Sequence, residues 1–207
     1  MMSHAERSAL REALLVVVLS GAGWLGFMNS EQVACADDER DAVRAMSKLH
    51  VAQGLELQLF AAEPLVRHPV TMTVDRRGRV WVIQYLQYPE PAGLKKITGD
   101  RYDRIRYDRV PEPPPHGPRG ADRVTILEDT DQDGQADKAR DFVSGLNLAS
   151  GLALGHGGVW VLQSPYLLFY PDHDQDDRPD GDPEVRLVGF GLDDAHSVAN
   201  SLQWGPD

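Results

Sequence analysis

From Leu55 onward the apolar and polar positions fall into short alternating runs divided by turn residues. Leu55 to Phe60 (LELQLF) alternates as a half-buried strand does. Val70 to Val74 alternates again, meets the turn Asp75-Arg76-Arg77-Gly78, and is answered by Val80-Trp81-Val82-Ile83, which predicts a hairpin. The phrase returns at Gly151 to Leu154, the turn Gly155-His156-Gly157-Gly158, and Val159 to Leu162. It begins a third time at Ser201-Leu202-Gln203-Trp204. Outer strand pairs are expected at Val124 to Leu127 with Ala139 to Val143, and at Leu167 to Tyr170 with Val185 to Val188.

Four short strands per unit, restated at roughly 45 residues, is the period of a propeller blade. A β-sandwich would account for the strands but not for a hairpin phrase repeated with its flanking loop. The expectation is therefore an all-β fold, the first two to three blades of a β-propeller over residues 51–207. The chain ends at Trp204-Gly205-Pro206-Asp207, in a turn with no return strand. It is accordingly expected to be an incomplete propeller, an N-terminal fragment whose open strand edges lack neighbours.

The period is interrupted at about residues 86–123 by a Tyr- and Arg-rich stretch (RYDRIRYDRV) and then Pro111, Pro113, Pro114, Pro115 and Pro118. Proline cannot donate to a ladder, so this insertion is expected to run over a face of the fold without strands. It reads equally as a bland surface insertion and as a loop lining a site.

The N-terminus has its own grammar. His4, Arg7 and Arg11 precede an apolar run of about 15 residues, Ala13 to Phe27, and Ala34-Cys35-Ala36 follows. This order describes a signal peptide over residues 1–36, cut after Ala36. A spanning helix needs roughly 20 apolar residues, and glycines break this run. Lipidation of Cys35 is the weaker alternative. Residues 37–50 read as a polar leader with a turn or two of helix. The protein is thus expected to be exported, to a periplasmic or membrane-associated location.

Cys35 is the only cysteine, so cleavage leaves no disulfide, no cysteine zinc site and no C-x-x-C-H haem on this chain. With 21 basic against 32 acidic residues, the surface repels phosphate backbones and nucleic acid is excluded as a partner. Divalent cations are the natural counter-charge.

The sharpest local chemistry is Asp129-Thr-Asp131-Gln-Asp133-Gly134-Gln135-Ala-Asp137. Carboxylates at positions 1, 3, 5 and 9, a backbone carbonyl from Gln135 at 7 and a glycine at 6 suit a hard cation. The position of the EF-hand's bidentate Glu is Arg140 and the flanks are strands, so a structural calcium loop in a β-hairpin is expected. A copy lies 43 residues on: Asp172, Asp174, Asp176 and Asp180, with the Arg178 carbonyl at 7 and Asp177 in place of glycine. A metal-free acidic loop tip is the plainer alternative for each.

His116, His156 and His173 fall in an insertion, a turn and an acidic loop, and read as surface residues. His196 stands just ahead of the third hairpin phrase, where spacing alone makes it structural. No Ser/His/Asp order, phosphate loop or H-E-x-x-H is present.

Three longer phrases carry a resemblance. They are Tyr85-Leu-Gln-Tyr88-Pro89-Glu-Pro91-Ala-Gly93-Leu94, Tyr107 through Arg123, and Asp194-Ala-His196-Ser-Val-Ala-Asn200-Ser-Leu-Gln-Trp204-Gly-Pro. From about Val51 to the end, the chain resembles the membrane-bound dehydrogenases of planctomycete-type bacteria. Those in turn are similar to soluble quinoprotein glucose/sorbosone dehydrogenases. The resemblance implies a six-bladed propeller with pyrroloquinoline quinone (PQQ) on its axis, oxidising a small-molecule sugar or alcohol. It implies His196 as catalytic base, because in those enzymes a histidine shortly before an aromatic-Gly-Pro-Asp turn takes the alcohol proton. It also implies a cytochrome domain, missing from this chain, as electron partner. The competing expectation is a non-catalytic, calcium-stabilised propeller that binds carbohydrate or protein.

Export predicts a mature N-terminus at Asp37. Mass spectrometry of the secreted protein checks this, and an intact Met1 would exclude cleavage.

Overall fold

The computed structural model describes residues 42–99, 101 and 104–206. The signal segment and the first residues of the leader lie outside the described residues. One turn of helix covers 42–46, and the remaining regular structure is antiparallel β.

Ten strands form in chain order: β1 (Pro69–Val74), β2 (Val80–Gln84), β3 (Lys96–Gly99), β4 (Ile105–Tyr107) and β5 (Asp122–Glu128). They continue as β6 (Lys138–Leu146), β7 (Ala149–Leu154), β8 (Gly158–Gln163), β9 (Tyr166–Pro171) and β10 (Glu184–Val188). Two four-stranded sheets result, ordered β1-β2-β5-β6 and β7-β8-β9-β10, with β3-β4 as a separate ribbon. The chain divides into two compact units. One takes in the described residues before 68 and the loop Asp129–Asp137; the other comprises His68–Glu128 and Lys138–Asp207.

Both repeated hairpins form in the expected places, with Val74 opposite Val80 and Leu154 opposite Val159. The outer pairs β5-β6 and β9-β10 also form. Three expectations fail. Leu55 to Phe60 alternates but is no strand, because it meets no ladder: within its unit the Ala136 amide donates to the Phe60 carbonyl at 2.7 Å. Ser201 to Trp204 is likewise irregular, and its tryptophan spends its indole N–H on the Leu154 carbonyl at 2.8 Å. Conversely, the insertion does contain strands. Its prolines fall before Lys96 (Pro89 and Pro91) and after Tyr107, so the stretch between them is free to pair as β3-β4, and β5 starts at Asp122 within its last residues.

The two sheets share one core, and they meet by unlike faces. From the first sheet the cluster takes Trp81 and Ile83 of β2 with Val124, Ile126 and Phe142. From the second it takes Val159 and Val161 of β8, the alternate positions of the same phrase, with Leu152, Leu168 and Tyr170. Trp81 packs on Phe142 with ring centroids 5.3 Å apart. The equivalent Trp160 points to the opposite face of its sheet, where it meets Phe169 and Trp204 at 4.8 and 5.9 Å.

Asp122 is buried at the start of β5 and joins the sheets from below the core. It accepts N–H bonds from Gln87 at 2.6 Å and from Ala149 at 2.9 Å. Burial outweighs these bonds and raises its pKa from 3.8 to about 6. The sign follows from proton counting: between about pH 4 and 6 the native state holds the proton that the unfolded state has lost, so this group's contribution falls as pH rises. The shift corresponds to about 3 kcal/mol. Asp122→Asn keeps one acceptor oxygen and is expected to lose about 1–3 kcal/mol. The wild type's margin over the variant should be largest near pH 4 and shrink through pH 6, as read from urea melts. A margin that grows with pH would show the anion to be the favoured form.

Candidate functional site

Two kinds of site emerge from the sequence-predicted residues, and each is built by irregular chain between strands. The acidic loops come first. In the loop after β5, Asp129, Asp131 and Asp133 each bring an oxygen within 4.8 Å of the others. Asp172, Asp174 and Asp176 do the same in the loop after β9. Both loops turn the same way: Gln132 and Gln175 adopt φ of 64° and 57°, and Gly134 and Asp177 adopt 89° and 64°. A positive φ favours glycine, and Asp tolerates it better than most residues.

Position 9 does not join either cluster in the hydrogen-bonding pattern. Asp137 instead caps the loop start, accepting from the Thr130 hydroxyl at 2.6 Å and its amide at 3.2 Å. Asp180 accepts from the His173 amide and ring, both at 2.8 Å. Those bonds, the amide's first, hold the Asp180 carboxyl below its ordinary range. The amides of Gln135 and Arg178 donate to Asp133 and Asp176, at 2.8 and 2.9 Å, which is how their backbone takes part in the turns.

The loops differ in how their first carboxylate is satisfied. Both oxygens of Asp129 accept loop amides, from Gln132 at 2.7 Å and Gly134 at 2.8 Å. Asp172 is 7% exposed, and its Oδ1 is buried with no hydrogen-bond partner. Burial raises its pKa, helped by the charges of Asp177, Asp176 and Asp174. Asp177, where the first loop has glycine, is committed elsewhere. It receives a two-pronged bond from Arg79, Nη1 at 2.7 Å and Nη2 at 2.8 Å, and Arg140 reaches the same carboxylate. Arg79 also donates Nε to Asp75 at 2.8 Å, and the Trp81 indole donates to that carboxylate at 3.0 Å.

The second site is centred on His196, in the segment that follows β10. A turn closed by the Ser197 amide on the Asp194 carbonyl, at 3.0 Å, brings the Asp194 carboxylate back to His196. That carboxylate contacts the His196 amide at 2.9 Å and ring Nδ1 at 3.0 Å. The amide bond first, and then the ring, keep Asp194 ionised below the usual carboxylate range. The far ring nitrogen, Nε2, has no hydrogen-bond partner among the described residues. The imidazole stands edge-on to Tyr88 at 5.5 Å.

His196 and Ala195 form the shared wall of two cavities of about 490 and 430 Å³. Glu90 and Lys96 line the larger; Tyr85, Ser150 and Asn200 line the smaller. Tyr85 Oη is buried without a partner, and burial, with the charges of Asp122 and Tyr88, raises its pKa to about 12. Asp194, Tyr85 and Ser150 were not legible as site residues. The Asp194-x-His196 spacing was the available signal, since a carboxylate two residues ahead can turn back on the ring. His156 packs on Trp204 at 4.6 Å, and the His116 amide closes a turn on Pro113.

Residues 41–207 match a family described as a domain of unknown function, DUF7133. The chain belongs to that family. No curated protein and no solved structure matches it. The matched stretch takes in both acidic loops and the His196 segment, and its description assigns chemistry to neither.

Proposed function

We propose that this chain binds a hydroxylated small molecule, a sugar or an alcohol, beside His196 and accepts its hydroxyl proton, as the substrate-handling part of an exported dehydrogenase. The observation that carries this reading is the Asp194-His196 pair in the shared wall of two cavities. An ionised Asp194 on Nδ1 fixes the ring orientation and stabilises the imidazolium formed when Nε2 takes a proton. The Tyr88 ring stands nearly perpendicular to the imidazole, while Ser150 and Asn200 line the smaller cavity with polar groups of the kind that orient a polyol. The resemblance to quinoprotein dehydrogenases agrees with a base at this position.

The cofactor of those enzymes is a different matter. PQQ is a tricarboxylate, and among the lining residues Lys96 is the cation against the carboxylates of Glu90 and Asp194. These residues do not fit that group, and no step is drawn through it.

The fold belongs to the same reading. Two successive four-stranded meanders that pack by unlike faces are what a propeller demands, because a head-to-tail contact repeats from blade to blade, whereas a like-to-like contact closes after two. Inner strands β1 and β7 lie beside each other, as neighbouring blades would place them. The calcium-stabilised, non-catalytic propeller remains the competing function and is the other outcome of the test.

The test is oxidation of aldoses and alcohols with an artificial electron acceptor, with and without added PQQ. Turnover is expected where this chain works together with an electron-accepting cofactor and not from the chain alone, and His196→Gln should then lower it by about 10² to 10⁴ with substrate binding retained. Asp194→Asn should lower it less, because the base survives but is poorly oriented. Saturable sugar binding without turnover would overturn the enzyme reading in favour of the binding module. Full activity in His196→Gln would remove the base.

A further inference from the structure

The two acidic loops look like copies, and glycine at position 6 makes the first the better cation loop on sequence. The side chains reverse that order. In the first loop Asp129 is already served by two backbone amides, so its charge is met without a metal. In the second, Asp172 is buried and its Oδ1 accepts no hydrogen bond from the described residues. A carboxylate oxygen in that state loses its hydration with nothing in return, a loss of about 1–3 kcal/mol or more for a charged group. Its nearest charges make matters worse, for Asp174 and Asp176 bring further carboxylate oxygens within 4.8 Å.

The cations close by cannot relieve this cluster. Arg79 and Arg140 are both spent on the Asp177 carboxylate, Arg79 with Asp75 as well, and Arg140 otherwise touches the Asp176 carbonyl at 3.3 Å. His173 is turned to Asp180. None of these three side chains donates to the carboxylates of Asp172, Asp174 or Asp176.

We propose that the loop between β9 and β10 is a divalent-cation site in which Asp172, Asp174 and Asp176 bind Ca²⁺, and that it binds more tightly than the loop between β5 and β6. All the donors are oxygens, which selects a hard cation over zinc or copper. Loop carbonyls and water complete the shell, since Ca²⁺ takes six to eight oxygens in a flexible geometry. Arg79 and Arg140 assist indirectly. By taking the Asp177 charge they leave a site of three carboxylates, and their grip on position 6 holds the turn that glycine would otherwise make.

Calorimetric titration of the full chain with CaCl₂ at fixed ionic strength tests this, with MgCl₂ and ZnCl₂ as controls. Wild type should bind Ca²⁺ saturably, with Kd on the order of 10⁻⁴ to 10⁻³ M as in extracellular modules. Asp172→Asn and Asp174→Asn should each weaken the tighter event tenfold or more, and Asp129→Asn should change it less than about twofold. Asp174 is exposed, so its variant decides the matter if Asp172→Asn fails to fold. No saturable Ca²⁺ binding, or loss of the tighter event in Asp129→Asn alone, would overturn the proposal. The outcome is independent of the His196 reading, because no activity is measured.

Discussion

The unlike-face contact between the two sheets is the constraint from which the rest follows. A strand with the pattern Val-Trp-Val-Ile must bury both of its sides, since Trp81 and Ile83 point one way and Val80 and Val82 the other, and all four are buried. The second sheet repeats the pattern and offers its valine side to the tryptophan side of the first. Its own tryptophan side is then left to irregular chain. Trp204 covers part of it, and Arg186 lies over Trp160 and Phe169, at 5.8 and 5.1 Å from the ring centres. On the first sheet the outer row of β1, Val70, Met72 and Val74, is exposed. Exposed apolar rows on a sheet are surfaces that want another layer.

The same contact explains where the buried charges lie. Arg79, in the turn ahead of β2, extends past the core to Asp177 in the loop after β9, and both side chains are about 10% exposed. A buried pair gains little net stability because both ions lose water, but removing one partner strands the other and costs about 3–5 kcal/mol. The pair ties the turn ahead of β2 to the loop after β9, so a shift of one sheet against the other would strand both charges. Position 6 of the second loop is thereby explained. Glycine would ease the turn, yet only a carboxylate satisfies the arginine.

This also marks how much the sequence could disclose. The hairpins were legible because period-two alternation, a tight turn and a returning Val-Trp-Val all lie within 15 residues of one another. The acidic clusters were legible because their spacing is local. Asp177 was not, since its partner is 98 residues away and a lone Asp at a glycine position reads as decay of the motif. Leu55 to Phe60 misled for a related reason: alternation records a segment's capacity to pair, while pairing itself needs a free neighbouring edge. The β3-β4 ribbon escaped because the prolines that follow it coloured the whole insertion.

The placement of His196 completes the argument. The positions of a central strand such as β2 are consumed by packing on two sides, so they have little room for a reactive group. His196 sits instead on irregular chain that is fastened at both flanks. The Asp193 carbonyl accepts the Ile105 amide at 2.5 Å, and the Ala199 carbonyl accepts the Ser150 hydroxyl at 2.7 Å. One anchor is the ribbon within the insertion and the other is the inner strand β7. A loop tied at both ends to regular elements can hold a side chain as firmly as a strand while exposing it to solvent. The insertion thus has a structural reason to interrupt the repeat, because without β4 the segment carrying Asp194 and His196 would lose one of its two moorings.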